Sequence, residues 1–219
     1  VIWFITGKGG VGKSWVTQQL HKEHPDFEKV YPAAELRPQL YEDFLVETLK
    51  VKKIAHWVAQ SSLFQALLPL APHLYEILLL HHWITKAKRN SLLVDAPSTG
   101  FFLAYFRAVK TARTLFDGGT LKIKADEIEA ALQSPDFCRV STVCLPENSS
   151  LAETQEILDY LHHEYPHVKT DSILNRVHRA PMESSALPDQ WRKFGLERVA
   201  AENNRVASKQ FSYRFEEAV

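Results

Sequence analysis

The sequence predicts an α/β fold: a mostly parallel, doubly wound sheet with helices on both faces and a helical insertion subdomain. Three observations carry that expectation. The apolar run Val1-Ile2-Trp3-Phe4-Ile5-Thr6 leads into the glycine-rich stretch Gly7-Lys8-Gly9-Gly10-Val11-Gly12-Lys13-Ser14 and then into a helical pattern. A second apolar run, Ser91-Leu92-Leu93-Val94-Asp95, ends in an acid. Unbroken apolar runs of this length suit strands that helices cover on both faces. Around them, segments with apolar residues three and four apart alternate with short strand-like runs, as crossover helices require.

The glycine-rich stretch satisfies the pattern G-x-x-x-x-G-K-[ST] and lies between a strand and a helix, where a phosphate-binding loop must lie. Glycines let the backbone turn tightly enough for the amides of Gly9, Gly10, Val11 and Gly12 to converge on phosphate. The helix beginning near Ser14 adds its dipole and free amides, which extends the cradle through Lys13, Ser14 and Trp15. Lys13 is expected to reach the β- and γ-phosphates, and the Ser14 hydroxyl to ligate Mg²⁺. Asp95 closes its strand in a Walker B pattern, which places it beside the loop to hold the hydration shell of that ion. The fold class is therefore a P-loop NTPase.

With 219 residues the chain suits one α/β domain spanning 1–219, or one such domain with a modest insertion. Lys plus Arg and Asp plus Glu both number 26, so no global field favours nucleic acid or anionic membrane. Cys138 and Cys144 have no metal-site spacing, and a reduced, cytoplasmic setting is the simplest expectation. The chain opens on a strand with no signal peptide pattern. The long uncharged run 57–75 contains Pro69, Pro72, Gln60 and Gln65, which makes it a poor membrane span.

Taken in order, 15–23 reads as the helix after the loop, with Val16 and Leu20 on one face, stopped by Pro25. Val30-Tyr31-Pro32-Ala33-Ala34-Glu35 reads as a short second strand weakened by its proline. From 41 to 89 the pattern is helical and divided at Pro69 and Pro72. The adjacent pair His81-His82 points about 100° apart on a helix, so it is expected to be structural or on the surface. The stretch 104–133 is helical in places, broken at Asp117-Gly118-Gly119, with its second helix expected over 125–133. A fourth strand is expected over 139–145, a helix from about 151 to 164, and a fifth strand over 172–177. In the tail, a short helix over 190–194 and a sixth strand over 196–200 are expected, followed by a terminal segment at 211–215.

Four ordered motifs carry a resemblance that covers roughly residues 1–200. The loop holds a second lysine in Lys8-Gly9-Gly10-Val11-Gly12-Lys13-Ser14, a form similar to the deviant P-loop of the ParA/MinD, nitrogenase iron protein and ArsA/Get3 ATPases. Asp95-Ala96-Pro97-Ser98-Thr99-Gly100 resembles the ArsA/Get3 switch II, with Phe101 standing where that pattern has histidine. Leu145-Pro146-Glu147 through Glu153-Thr154 and Asn175-Arg176-Val177 resemble two further stretches of the same family. The chain is identified as similar to ArsA/Get3-like ATPases.

The resemblance implies a nucleotide-dependent homodimer in which Lys8 reaches the partner's nucleotide; a solvated loop lysine is the plain alternative. It implies that Glu35, the only acid available in switch I, orients the attacking water, although the family's Asp-Pro-Ala is absent; a surface acid is the alternative. It also implies that Gly100 offers an amide near the γ-phosphate. Asn175, followed by Arg176, is implied to read the adenine edge, where an amide both donates and accepts. A guanine site would want a carboxylate two residues further on from Arg176, where His178 stands, so ATP is favoured over GTP. Residues near Pro181 or Arg198 are implied to help close over the base.

The expected function is an ATP-hydrolysing dimeric switch with a protein client. A nucleotide-gated scaffold that barely hydrolyses, and a ParA/MinD-like positioning ATPase, stand as alternatives. The segment 41–89 exceeds what a crossover of such a sheet requires, so it is expected, together with the helices at 104–133, to form helical insertions that bind the partner. Trp57, Phe64, Leu67, Leu70, Leu74, Leu79 and Trp83 are the candidates for an exposed apolar patch there.

Overall fold

The computed structural model describes residues 1–219 except 33–35, 69–72, 178–199, 202–203, 208 and 217–219. Its elements run β1 Ile2–Gly7, α1 Lys13–Glu23, β2 Glu28–Val30, α2 Leu36–Leu49, α3 Lys52–Gln60, α4 Ser62–Leu67 and α5 Leu74–Ala87. There follow β3 Leu92–Ser98, α6 Thr99–Leu115, α7 Thr120–Leu132, β4 Cys138–Cys144, α8 Asn148–Glu164, β5 Lys169–Val177 and β6 Tyr213–Glu216. The strands form one six-stranded sheet in the order β2-β3-β1-β4-β5-β6, and each neighbouring pair is parallel. The expected α/β doubly wound architecture is thus present.

Handedness explains where the helices lie. A crossover between parallel strands is right-handed, so the direction in which the chain steps across the sheet selects the face its helix covers. Among the described strands only the β1-to-β2 step runs toward the β2 edge, and α1 is the described helix on its face, packed through Val16 and Leu20 against Trp3, Ile5, Leu93, Val143 and Ile173. The later steps run the other way. The larger core therefore lies on the opposite face, where α5, α6, α7 and α8 bury Trp83, Phe102, Phe106, Ile128 and Ile157 on Ile2, Phe4, Leu92, Val94 and Val140. β1, between β3 and β4, is buried along its whole length, as its uninterrupted apolar sequence requires.

Several boundaries differ from expectation. The second strand is Glu28–Val30, ahead of the proline: Glu28 donates its amide to the Ser91 carbonyl at 2.8 Å, and the ladder with β3 ends at Val30. Helix α7 begins at Thr120, five residues earlier than its apolar pattern suggested. Among the described residues the sixth strand is Tyr213–Glu216, overlapping the stretch read as a terminal segment, while 196–199 of the strand expected over 196–200 lie outside the described residues. Tyr213 pairs with Ile173, so its ring lies on the α1 face, where apolar contacts with Trp3 and Phe215 hold it. The expected helix at 190–194, and Pro181 and Arg198, lie outside the described residues.

The largest correction concerns the helical insertions. α5 is the crossover helix that returns to β3: Leu74, Leu79 and Trp83 are buried in the core, with Trp83 ring to ring against Phe4 and Tyr105. Trp83 is therefore no partner-binding residue. α6 and α7 likewise belong to the core, through Phe102, Phe106, Val109, Ile128 and Leu132. That leaves α2, α3 and α4 as the excursion. There Phe64 packs edge-on against Tyr41, while Trp57 stays 72 % exposed; the side chains of Leu67 and Leu70 lie outside the described set. Pro69 and Pro72 fall in the undescribed stretch between α4 and α5.

A polar chain ties α2, α5 and α7 together. His81 Nε2 lies 2.8 Å from Glu127 and its Nδ1 3.4 Å from the ammonium of Lys124, which is buried and also paired with Glu47 at 2.5 Å. The pair His81-His82 is structural, as expected. Burial holds both imidazoles below their ordinary value of 6.5; Lys124 adds to the effect at His81 and Lys86 at His82, against the pull of Glu127 and Asp43. The sign follows directly. Both rings stay neutral in the folded chain at a pH where the unfolded chain already takes up protons, so stability present above about 6.5 is lost as pH falls below it. Glu127, held down chiefly by its hydrogen bond from His81, acts only further down, in the carboxylate range. Urea unfolding at a series of pH values should therefore show weakening below about 6.5, and His81→Gln should flatten part of that slope.

Candidate phosphate-binding site

The loop between β1 and α1 sits where the strand order reverses, with β3 on one side of β1 and β4 on the other. Ligands of open α/β sheets bind outside the carboxyl ends of the strands at such a switch point. The loop is held there by three contacts. Val11 is 1 % exposed and packs with Ile5, Val16 and Leu20, which roots the middle of the loop in the core. The Thr6 hydroxyl donates to the Pro97 carbonyl at 2.8 Å and ties the end of β1 to the chain just past Asp95. Asn175 donates its side-chain amide to the Val11 carbonyl at 2.8 Å, from β5, two strands away.

Backbone conformation explains the glycine at position 12. Gly12 has φ 86° and ψ 29°, the left-handed region that residues with a Cβ avoid, and it delivers the chain directly into α1 at Lys13. A Cβ there would also stand 2.6 Å from the Asn175 amide nitrogen. Gly10 shares the positive φ, at 84°, but a Cβ on it would meet nothing within 4 Å, so the mouth of the loop is open space. No side chain caps α1, which leaves its first amides free for a ligand.

Two lysines serve this loop differently. The Lys13 ammonium folds back and donates to the Lys8 carbonyl at 3.0 Å. Burial presses its pKa below the ordinary lysine value, while Asp95 and Glu153 pull it back up. Asp95 is 8 % exposed, on β3 directly across from Ile5 of β1. The base of the loop thus holds a partly buried ammonium at the start of α1 and a buried carboxylate on β3, the strand beside β1. Lys8 points outward and pairs with Glu153 of α8 at 3.9 Å, with side-chain exposures of 42 % and 31 %. So open a pair contributes about 0–1 kcal/mol.

Of the remaining expected residues, Gly9 and Ser14 are exposed at the loop mouth. Trp15 is 44 % exposed and meets Phe215 edge-on at 5.3 Å between ring centroids. Gly100 is exposed in the first turn of α6, followed by Phe101 at 73 % exposure. Glu35 lies outside the described residues, one position before α2. Asn175, expected to read the adenine edge, is 3 % exposed and gives its amide nitrogen to the Val11 carbonyl, so in this structure it braces the loop. Arg176 beside it is exposed with φ 54°, where the register of β5 with β6 shifts. Sequence reasoning overlooked Thr6 and Glu153 as site residues. Glu153 stands in the motif that ends at Thr154, but only the fold shows that it faces both loop lysines.

The residues fit a divalent cation of the Mg²⁺ type. Among the described residues no three His, Cys, Asp or Glu side chains cluster to cage a metal. Mg²⁺ needs no such cage, since it is held by one or two protein oxygens together with substrate phosphates and water. No protein-family model matches the chain, and no curated protein does. Among solved structures it is similar to a ParA family ATPase from Chlorobium tepidum TLS, at 13 % identity over 99 % of this chain and 84 % of that one, TM-score 0.43. It is also similar to a chain of the MinC:MinD cell division protein complex of Aquifex aeolicus, at 15 % identity over 99 % and 81 %, TM-score 0.44. What this chain does is therefore read from its own residues.

The brace makes a measurable prediction. Asn175→Ala strands a buried carbonyl and should destabilise the chain by about 1–3 kcal/mol. Gly10→Ala meets only backbone strain, about 1–2 kcal/mol; Gly12→Ala adds the clash with Asn175 and should cost more. In the Gly12→Ala/Asn175→Ala double variant the clash is gone, so the two losses should sum to less than their separate values by about 1 kcal/mol or more. Denaturant unfolding measures all four, and strict additivity would remove the brace.

Proposed function

We propose that this chain is a Mg²⁺-dependent ATPase that works as a nucleotide-driven switch, built as one P-loop domain with α2–α4 as its helical excursion. One observation carries the reading. A glycine loop with free helix amides, Lys13 at its base and Asp95 on the adjacent strand meet at the switch point of a parallel sheet. The amides of Gly9, Gly10, Val11 and Gly12, with those of Ser14 and Trp15, take the phosphate oxygens, and Lys13 neutralises the β/γ charge as its ammonium leaves the Lys8 carbonyl. Ser14 and Asp95 would hold Mg²⁺, which supplies charge neutralisation on the phosphates. Glu35 is assigned to the attacking water and Gly100 to an amide near the γ-phosphate. Arg176, exposed beside the brace, is the base-side candidate, with Asn175 acting through the loop.

The ordered motifs favour the ArsA/Get3 type of this switch, a cytoplasmic homodimer in which Lys8 crosses to the partner's nucleotide; a ParA/MinD-like positioning ATPase is the sister reading. The open Lys8–Glu153 pair supports the crossing role, since so weak a tie releases Lys8 at little cost. The exposed Phe101, in place of a polar switch group, supports a second reading, a nucleotide-gated scaffold with little hydrolysis. Steady-state turnover at saturating Mg·ATP separates the two.

Calorimetric titration tests the assignments together. Lys13→Ala should lose about 100-fold or more in Mg·ATP affinity, because a charged hydrogen-bonding group is removed from a partly buried site; unchanged affinity would refute the loop assignment. Glu35→Gln should retain affinity and lose turnover, as expected of a group that acts in the transition state. Lys8→Ala should bind ATP within about threefold of wild type yet fail to dimerise with it, since a surface lysine adds little in cis. Light scattering that finds wild type monomeric with ATP would end the crossing role.

A further inference from the structure

The tip of the helical excursion carries charge and apolar surface in one place. Around α3, Leu49 is 40 % exposed, Val51 45 %, Ile54 51 % and Trp57 72 %, with Leu63 of α4 at 70 %. Ile54 and Trp57, three apart, are neighbours on the outer side of α3, while Ala55 on its inner side is fully buried. Lys50, Lys52 and Lys53 are all exposed among these residues, and no Asp, Glu, Lys or Arg follows from Ile54 through Tyr75.

The acids within reach do not cancel the lysines. Glu42 is engaged by His56 at 3.0 Å and Glu47 by Lys124. Asp43 lines the cavity between α2 and α5 with His82 and Lys86. The other exposed apolar group, Leu115, Phe116 and Ile123 at the turn from α6 to α7, lacks this pattern, since nearby Arg113 and Lys122 are tied to Asp126.

We propose that the α3 tip docks on an anionic membrane surface, with Trp57 and Ile54 at the level of the headgroups and Lys50, Lys52 and Lys53 on the lipid phosphates. This rests on reading α2–α4 as the part of the expected partner-binding helices that stays outside the core, and it names a lipid surface as the partner there. Tryptophan favours the interface between headgroups and acyl chains, and lysine stems lie along apolar surface while their ammonium groups stay with the phosphates. An amphipathic helix with low net hydrophobicity and a lysine-bearing face lies in the interface plane and does not span it. Consistent with that, no helix among the described residues is long and apolar enough to cross a membrane. α3 packs against α2 and α4, and its exposed lysines flank exposed Ile54 and Trp57 with no acid between them, a pairing of charge and apolar surface that suits an anionic bilayer better than an acidic peptide. Because α2 starts one residue after Glu35, the tip is mechanically linked to the segment assigned to the attacking water.

Co-sedimentation of the full chain with vesicles tests this. Wild type should bind vesicles containing phosphatidylglycerol, should ignore pure phosphatidylcholine, and should weaken as salt is raised. Lys52→Glu/Lys53→Glu and, separately, Ile54→Asp/Trp57→Ala should each reduce binding about tenfold or more, with Mg·ATP affinity and thermal melting unchanged because these side chains are exposed. Absence of wild-type binding to the anionic vesicles, or binding untouched by both variants, overturns the proposal. Dimerisation of wild type in solution that Trp57→Ala abolishes would overturn it in favour of a second copy. A soluble acidic protein that displaces the vesicles from wild type and loses affinity for both variants would overturn it in favour of a protein client. Loss of Mg·ATP binding in wild type would instead overturn the ATPase reading and leave the vesicle result standing by itself.

Discussion

Right-handed crossover is the constraint from which the rest of this structure follows. It sends α1 to one face and α5 through α8 to the other, because the chain steps one way after β1 and the opposite way after β2. The reversal opens a crevice at the carboxyl end of β1, and it is there that the glycine-rich loop emerges. With β1 covered on both faces, Phe4 and Ile2 serve one core and Trp3 and Ile5 the other. A loop hung from so rigid a strand begins from a fixed point, which a phosphate cradle requires.

The loop itself is a compromise between burial and openness. Val11 is anchored in the core and its carbonyl is satisfied by Asn175, while Gly9 and Gly10 face open space. A buried carbonyl left without a donor costs more than an ordinary hydrogen bond contributes, so the reach of Asn175 across β4 is a strong restraint on loop shape. The two lysines divide along the same line: Lys13 is partly buried and electrostatically coupled to Asp95, whereas Lys8 stays at the surface in a pair that water screens.

The helices between β2 and β3 also divide, this time by packing. α5 fills the core with its apolar side, and on its polar side His81 reaches Lys124 and Glu127 of α7. α2 packs on α5 with one face and carries α3 and α4 outward. The exposed Trp57 is thus carried on α3, beyond the far end of α2, whose first residue is Leu36. Coupling between the two ends requires only that α2 shift as a unit.

The α/β class, the strand–glycine loop–helix arrangement of β1 and α1, and the placing of Asp95 on β3 were legible in the chain itself. Each depends on local chemistry: apolar runs for β1 and β3, glycine spacing for the loop, three- and four-residue periodicity for the helices. The same holds for the identity of Lys13 and Ser14 as loop residues. Which apolar residues the fold conceals was not legible. Trp57 and Trp83 lie in similar helical patterns, yet one is 72 % exposed and the other 1 %. Periodicity shows that a helix has an apolar face but not which neighbour arrives to cover it. Asn175 illustrates the same limit for polar groups, since its partner Val11 is 164 residues away in sequence. The second strand lies ahead of its proline, and the segment at Tyr213 joins the sheet as a strand, because strand pairing is decided across the sheet and not along the chain. Contacts made only after the chain has folded back on itself decide burial, bracing and pairing, and for that reason the tertiary structure alone supplied them.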